Sequence, residues 1–301
     1  MSDFIESIAS KSDNIFFIKG ENDGRYPYSH SLLINDYLID TGVSDRRLKK
    51  LKSKYNVNHV LLSHWHEDHI AGNNVLDSAK FYCHPKDRHI IEDITKMEKY
   101  YGTTEISTEN LYDDLMEMLN ISNTKIDGLF EDNEILDLTN GSHLKVIHTP
   151  GHSAGHCCFL ELNSDLAFLA DLDLTSFGPW YAGIDSSVIE FEESIKKLID
   201  MDIDIAVTSH KGLFTGKALI KEKLHEYLSK IYERDQLILE QLSEKTPRNA
   251  EDLANKNIIY KFYTMFKNYE ILAEKIMFRF HFDKFLKNNI IEPKDNGYVL
   301  C

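Results

Sequence analysis

No stretch of this 301-residue chain stays apolar for the roughly 18 positions that a membrane-crossing helix needs, so no spanning segment is expected. The opening residues MSDFIESIASKSDN have neither the basic start nor the apolar run of a secretory signal, and a cytoplasmic protein is expected. Cysteine is scarce. The four, at positions 83, 157, 158 and 301, show no paired framework, which argues against a disulfide scaffold. Cys157 and Cys158 fall in an expected strand, where neighbours face opposite ways, and read as buried free thiols. Basic residues are also in short supply: 34 Lys and Arg stand against 49 Asp and Glu. From Leu219 to Cys301 the count is 14 against 13, leaving 20 against 36 in the first 218 residues. An acidic front repels phosphate backbones, so general affinity for nucleic acid is disfavoured, whereas bound divalent cations would offset the charge locally. Low-complexity runs are missing too, and 42 % hydrophobic with 28 % charged residues is ordinary globular usage.

What is present begins with short apolar stretches. NIFFI (14–18) is followed by SLLI and YLID around the turn pair Asn35-Asp36, a hairpin pattern. SDRRLKKLKSKY (44–55) has a capping serine and Leu48/Leu51 spacing for a helix, and HVLLS follows as a strand. KFYCH reads as another strand, and PKDRHIIEDITKMEKYY as a helix with Pro85 in its first turn. Residues 103–127 read as an inserted helical segment. EILDL, HLKVIHT, HCCFLEL and LAFLAD are four strands in succession, SSVIEFEESIKKLIDM an amphipathic helix and DIAVTSH a buried strand. LLINDYLIDTG and CFLELNSDLAFLAD echo each other as hairpins ending on Asp40 and Asp171, which suits two similar β-rich halves packed between helices. From about 219 the pattern turns helical. Leu224, Tyr227, Leu228, Ile231, Ile238 and Leu242 form an apolar stripe in which charged Asp235 is the one gap. A terminal strand pair bends at Asp295, Asn296 and Gly297, and three helices with a hairpin predict a winged-helix-like unit over 219–301 behind a main domain over 1–218.

Three of the 14 histidines crowd into LLSHWHEDHIAGN (61–73). In an extended segment His64 and His66 project the same way and can grip one ion. Asp68 and His69 lie around the turn into a helix and face a second position, with Gly72 leaving backbone room behind. His152 in HTPGHSAGH, Asp171 closing LAFLAD and His210 closing DIAVTSH stand at or near further strand ends. Imidazole and carboxylate in such numbers are zinc chemistry.

The pattern His64, His66, Asp68, His69 resembles the His-x-His-x-Asp-His signature of the metallo-β-lactamase superfamily, and the likeness continues in order through His152, Asp171 and His210, over residues 14 to 215. That resemblance implies a four-layer αββα sandwich and two divalent metal ions, Zn²⁺ ahead of Fe or Mn. It gives His64, His66 and His152 to one ion, Asp68, His69 and His210 to the other, and Asp171 to both. A cation pair of this kind lowers the pKa of a shared water toward about 7, and Asp68 could orient that nucleophile. Asp40 matches a family aspartate that supports the site through hydrogen bonds. Asp173 is a rival bridge, His156 supports the site, contacts substrate or opens a strand, and Phe177, Trp180 and Tyr181 either wall the pocket or pack in the core. His30, His59, His84, His89, His143, His148, His225 and His281 are expected to be structural.

The resemblance implies a hydrolase of a small ester, thioester or phosphodiester. The zinc β-lactamases lack an aspartate of the Asp171 kind, and flavin-linked di-iron oxygen reductases carry glutamate where this chain has His66. A mononuclear iron dioxygenase of the persulfide type, using part of the ligand set, is the alternative, as is an RNA- or nucleotide-cleaving member. The C-terminal region resembles the appendage of such members, but its near-neutral charge favours packing or homo-oligomer formation over a nucleic-acid grip.

Overall fold

The structure is a computed structural model and describes residues 4–8, 14–103, 116–117, 119–254, 256–264 and 266–301. Most of the expected 103–127 insert lies outside the described residues. Seven strands make the first sheet in chain order: β1 (Ile5–Ser7), β2 (Ile15–Ile18), β3 (Ser31–Ile34), β4 (Tyr37–Ile39), β5 (His59–Leu61), β6 (Lys80–Cys83) and β7 (Gly128–Leu129). Strands β1 to β4 pair antiparallel, and β4 to β7 parallel. The Asn35-Asp36 hairpin forms as its turn chemistry requires, with Asn35 at φ 56°. The second sheet uses β8 (Ile135–Asp137), β9 (His143–His148), β10 (Cys157–Glu161), β11 (Leu166–Ala170), β12 (Ile205–Thr208) and β13 (Gly212–Thr215) in the order β13-β12-β11-β10-β9-β8.

The crossover helices follow their caps. α1 (Asp45–Lys52) starts where Ser44 accepts the Arg47 amide, and buries Leu48 and Leu51. α2 (Glu67–Ile70) is a single turn with His66 at its N-cap. α3 (Pro85–Ile91) has proline in its first turn, but the expected helix through Tyr101 does not continue. It breaks at Asp93 (φ −148°), whose carboxylate takes the Thr95 hydroxyl at 2.6 Å while Asn123 takes the Ile94 amide, so side chains outcompete the helical bonds. The chain re-forms a turn as α4 (Met97–Tyr100). α5 (Val188–Ile199) is capped by Ser187. α6 (Lys217–Leu239), α7 (Ala250–Leu253) and α8 (Lys267–Lys287) follow, then the hairpin β14 (Ile291–Lys294) and β15 (Gly297–Leu300).

Three apolar clusters define the layers. Ile15, Leu32, Leu144, Cys157, Phe159 and Val207 fill the space between the sheets. Leu33, Leu48, Leu51, Val60 and Ile90 join the first sheet to α1 and α3. Cys158, Leu169, Phe191, Ile195, Leu224, Ile231 and Phe278 join the second sheet to α5, α6 and α8 as one continuous core. The result is the expected αββα sandwich, with Cys157 and Cys158 on opposite faces of β10. The 219–301 segment shares a core with the second sheet. Among the described residues no helix is long and apolar enough to cross a membrane.

Candidate metal centre

The predicted donors leave four strand ends on one edge of the two sheets. Past β5 the chain stays buried through Leu62, Ser63 and His64 because Asp40, just beyond β4, reaches across. One Asp40 oxygen accepts the Ser63 amide at 2.7 Å; the other accepts the Ser63 hydroxyl at 2.6 Å and His69 Nδ1–H at 2.8 Å. The loops close tightly because they carry glycine where a Cβ cannot fit: at Gly42 it would meet the Asp68 carbonyl oxygen at 1.6 Å, and at Gly72 the Thr41 carbonyl oxygen at 2.4 Å. Asp171 is turned out of β11 by a left-handed Ala170 (φ 48°) next to a register shift in the β11-β12 pairing.

Two donor groups result: His64, His66, His152 and Asp171 in one, Asp68, His69 and His210 in the other. His64 Nε2 lies 3.0 Å from His66 Nδ1, and His152 Nε2 lies 3.2 and 2.9 Å from these two. Tetrahedral donors at roughly 2.0–2.1 Å from a zinc ion would stand about 3.3 Å apart. Asp171 faces both groups, its Oδ2 3.2 Å from His152 Nε2 and its Oδ1 2.9 Å from His69 Nε2 and 3.5 Å from His210 Nε2. Asp68 lies 3.8 Å from His69 Nε2 and 3.4 Å from His210 Nε2. Asp173, the rival bridge, instead accepts the His210 amide at 2.8 Å, although it also lies close enough to group with Asp171 and His210.

Acceptors fix the ring tautomers. His69 Nδ1–H donates to Asp40, His152 Nδ1–H to the Trp180 carbonyl at 3.0 Å and His210 Nδ1–H to the Gly24 carbonyl at 2.6 Å. Ser63 spends its one proton on Asp40, so His64 Nδ1–H donates to the Ser63 oxygen at 2.9 Å. Each of these four rings therefore turns an Nε2 lone pair inward. His69 Nε2 and Asp171 Oδ1 are buried and, among the described residues, have only each other and the neighbouring donors within reach, as metal donors would. Burial and the surrounding imidazoles hold His64 and His66 well below the usual histidine range, in the neutral form a cation needs. Burial opposes charge on His69 and His210 too, but carboxylates outweigh it: Asp171, Asp68 and Asp40 hold His69 well above its usual range, and Asp173, Asp171 and Asp68 lift His210 to about 10. This side of the centre attracts positive charge, and these donors can hold a metal ion.

The sequence pattern of the metallo-beta-lactamase superfamily matches residues 29–210. The chain belongs to the metallo-β-lactamase superfamily. The atrochrysone carboxyl ACP thioesterase of Pseudocercospora fijiensis is 24 % identical over 235 residues, 77 % of this chain and 54 % of that protein, so this chain spans about half of that relative. The beta-lactamase-like protein 2 homolog of Drosophila melanogaster is 23 % identical over 235 residues, covering 74 % of this chain and 70 % of that one. The crystal structure of a beta-lactamase domain protein from Burkholderia ambifaria shares the fold with a TM-score of 0.71 at 14 % identity, over 98 % of this chain and 94 % of that chain.

Around this metallo-β-lactamase centre, His156 is a support: its Nδ1 meets Thr149 Oγ1 at 2.9 Å and its Nε2 accepts the Asp171 amide at 3.3 Å. The aromatic loop divides between its two readings. Trp180 stands against His66 and His152, whereas Tyr181 is wholly buried. His84 stacks on His148, and His281 bonds Tyr181 and Asp235, all away from the donors. Glu67, given no role by the motif, is buried beside Asp68 and accepts the hydroxyls of Tyr26 (2.7 Å) and Tyr101. Asp87 and Asp185 likewise lie outside the motif. Asp185 accepts Trp65 Nε1 at 3.1 Å and the Ala154 amide at 3.0 Å, tying the His64–His66 turn to the loop after His152. Nothing local in the sequence marks them, since their partners are mostly backbone atoms of distant loops.

Proposed function

We propose that this protein is a hydrolase working with two divalent cations, Zn²⁺ ahead of Fe or Mn, on a small ester or thioester, with phosphodiesters the wider class. His64, His66 and His152 would hold one ion, Asp68, His69 and His210 the other, and Asp171 would serve both. The observation that carries this reading is Asp171 itself, whose two oxygens face different donor groups. A mononuclear site would use one group and leave the other without purpose. When bound, the pair supplies an acidified water and polarises the bond under attack. The chain's own residues then do the rest. Asp68 would orient that water, Asp40 keeps His69 in the correct tautomer, and Trp180 walls the first group from solvent. Thioesters rank first because relatives are named thioesterases. The acidic charge of the first 218 residues disfavours a polyanionic RNA substrate. Residues 1–218 form the catalytic unit and residues 219–301 its support.

The test is a panel of thioesters, lactones and nucleotide diesters assayed on protein of measured metal content. About two zinc ions per chain and thioester turnover are expected. His66→Ala and Asp171→Ala should each abolish turnover while far-UV circular dichroism stays native. Full turnover by metal-stripped protein, or one iron with oxygen uptake, overturns the reading.

A further inference from the structure

His152 is held by a loop atom, and the loop is held by the C-terminal helices. The Trp180 carbonyl that accepts His152 Nδ1–H belongs to an irregular segment between β11 and α5, with no ladder of its own to fix it. Its neighbours are fixed instead by one side chain of α6. Arg234 is 5 % exposed. Its Nη1 donates to the Pro179 carbonyl and, at 3.0 Å, to the Tyr181 hydroxyl oxygen; its Nη2 donates to the Phe177 carbonyl at 2.6 Å. The guanidinium also lies 4.7 Å from the Phe177 ring centre and 5.4 Å from that of Tyr181. Gly178 allows this approach: at φ 85°, a Cβ there would meet Lys230 Cβ of α6 at 2.4 Å. The clamp is anchored further back. Tyr181 O–H donates to His281 Nε2 at 2.8 Å, and His281 Nδ1–H to Asp235 Oδ1 at 2.6 Å. Burial keeps His281 below the ordinary histidine range, in the neutral form this direction of donation requires. Two turns earlier on α6, Tyr227 donates to the Asp171 carbonyl at 3.2 Å.

We propose that Arg234 is a positioning residue for the metal centre: by gripping the Phe177 and Pro179 carbonyls before Trp180 and the Tyr181 hydroxyl after it, it aims the Trp180 carbonyl, which sets the tautomer and direction of His152. A planar fork can hold two carbonyls at once, which a lysine ammonium cannot do with the same geometry. The inference rests on the metal reading above. A residue that only filled the core would lower stability without altering how the centre holds a cation.

Metal-stripped wild type, Arg234→Met, Arg234→Lys and the control Leu228→Ala, a core truncation on the same helix that removes no hydrogen bond to the loop, are titrated with Co²⁺ against a competing chelator. Visible absorption reports the coordination and far-UV circular dichroism the fold. In Arg234→Met one of the two Co²⁺ ions should bind about 10- to 100-fold more weakly, the usual effect of losing a ligand's supporting partner, and its absorption bands should change. Arg234→Lys should fall between, and Leu228→Ala should keep wild-type affinity and spectrum. If Arg234→Met does not fold, the comparison of Arg234→Lys with Leu228→Ala decides. Wild-type affinity and spectrum in the folded arginine variants, or equal weakening in Leu228→Ala, overturns the clamp. Wild type that takes up no Co²⁺ overturns the metal reading itself.

Discussion

Asp87 places a wholly buried carboxyl close to that of Asp185, behind the two loops that carry His64, His66 and His152. Burial, then repulsion from Asp185, pushes its pKa well above the ordinary range, with the Gly155 and Trp65 amides offsetting part of the effect. A raised folded-state pKa means that the folded protein keeps a proton which the unfolded chain releases above roughly pH 4. The stability linked to that proton is complete in acid and is lost as pH rises toward the folded pKa. Asp87→Asn keeps the shape without the titration, so it should be more stable than wild type at pH 8, and its urea midpoint should fall less between pH 5 and pH 8. Parallel midpoints for the two proteins would show that Asp87 holds no such proton. At this scale the sequence was legible where donors share a motif, as in His64, His66, Asp68 and His69, whose spacing alone brings them to one turn. It was illegible where the partner is a backbone carbonyl, as at Gly24 and Trp180, because any residue supplies a carbonyl and only the fold decides which one arrives.

Among elements, the echo between the two hairpins extends further than their sequences show. The β3-β4 and β10-β11 pairs are each followed by a crossover helix, α1 or α5, and then by a parallel strand. His64 leaves the strand after the first crossover and His210 the strand after the second, so the centre is assembled from two halves of like plan. Strands β1, β7 and β13 carry no clear sequence signal; they are short edge segments whose pairing comes from the neighbour rather than from an apolar alternation of their own. On α6 the one gap in the apolar stripe, Asp235, answers to α8, where it bonds His281 and Lys284 Nζ, the latter at 2.6 Å with both side chains mostly buried. Lys284 also meets Glu192 of α5 at 2.8 Å, so three helices share one charge cluster. Asp235→Ala leaves a buried ammonium and imidazole short of a partner and should cost about 3 kcal/mol in denaturant unfolding. A loss below roughly 1 kcal/mol would mean that the pair behaves as an exposed one.

For the molecule as a whole, a winged-helix-like appendage was expected to follow a separate catalytic unit. Its helices and hairpin are present, yet α6 and α8 complete the core against α5 and the second sheet, and Arg234 and Tyr227 reach the loops of the centre. Sequence periodicity reveals that a helix has an apolar face but not which layer that face covers. A chain ended after Gly216 should consequently fail to fold, binding hydrophobic dyes and losing near-ultraviolet dichroism; a soluble, native-like truncated protein would show the two parts to be independent. The two tryptophans of the chain have a further consequence. Trp65 stands 4.4 Å from the His66 ring, and Trp180 5.7 Å from His66 and 5.5 Å from His152. All indole fluorescence of this protein thus originates beside the donors, so a paramagnetic ion entering the centre would quench the emission of the whole chain, and loading could be followed by eye of the fluorimeter without any label.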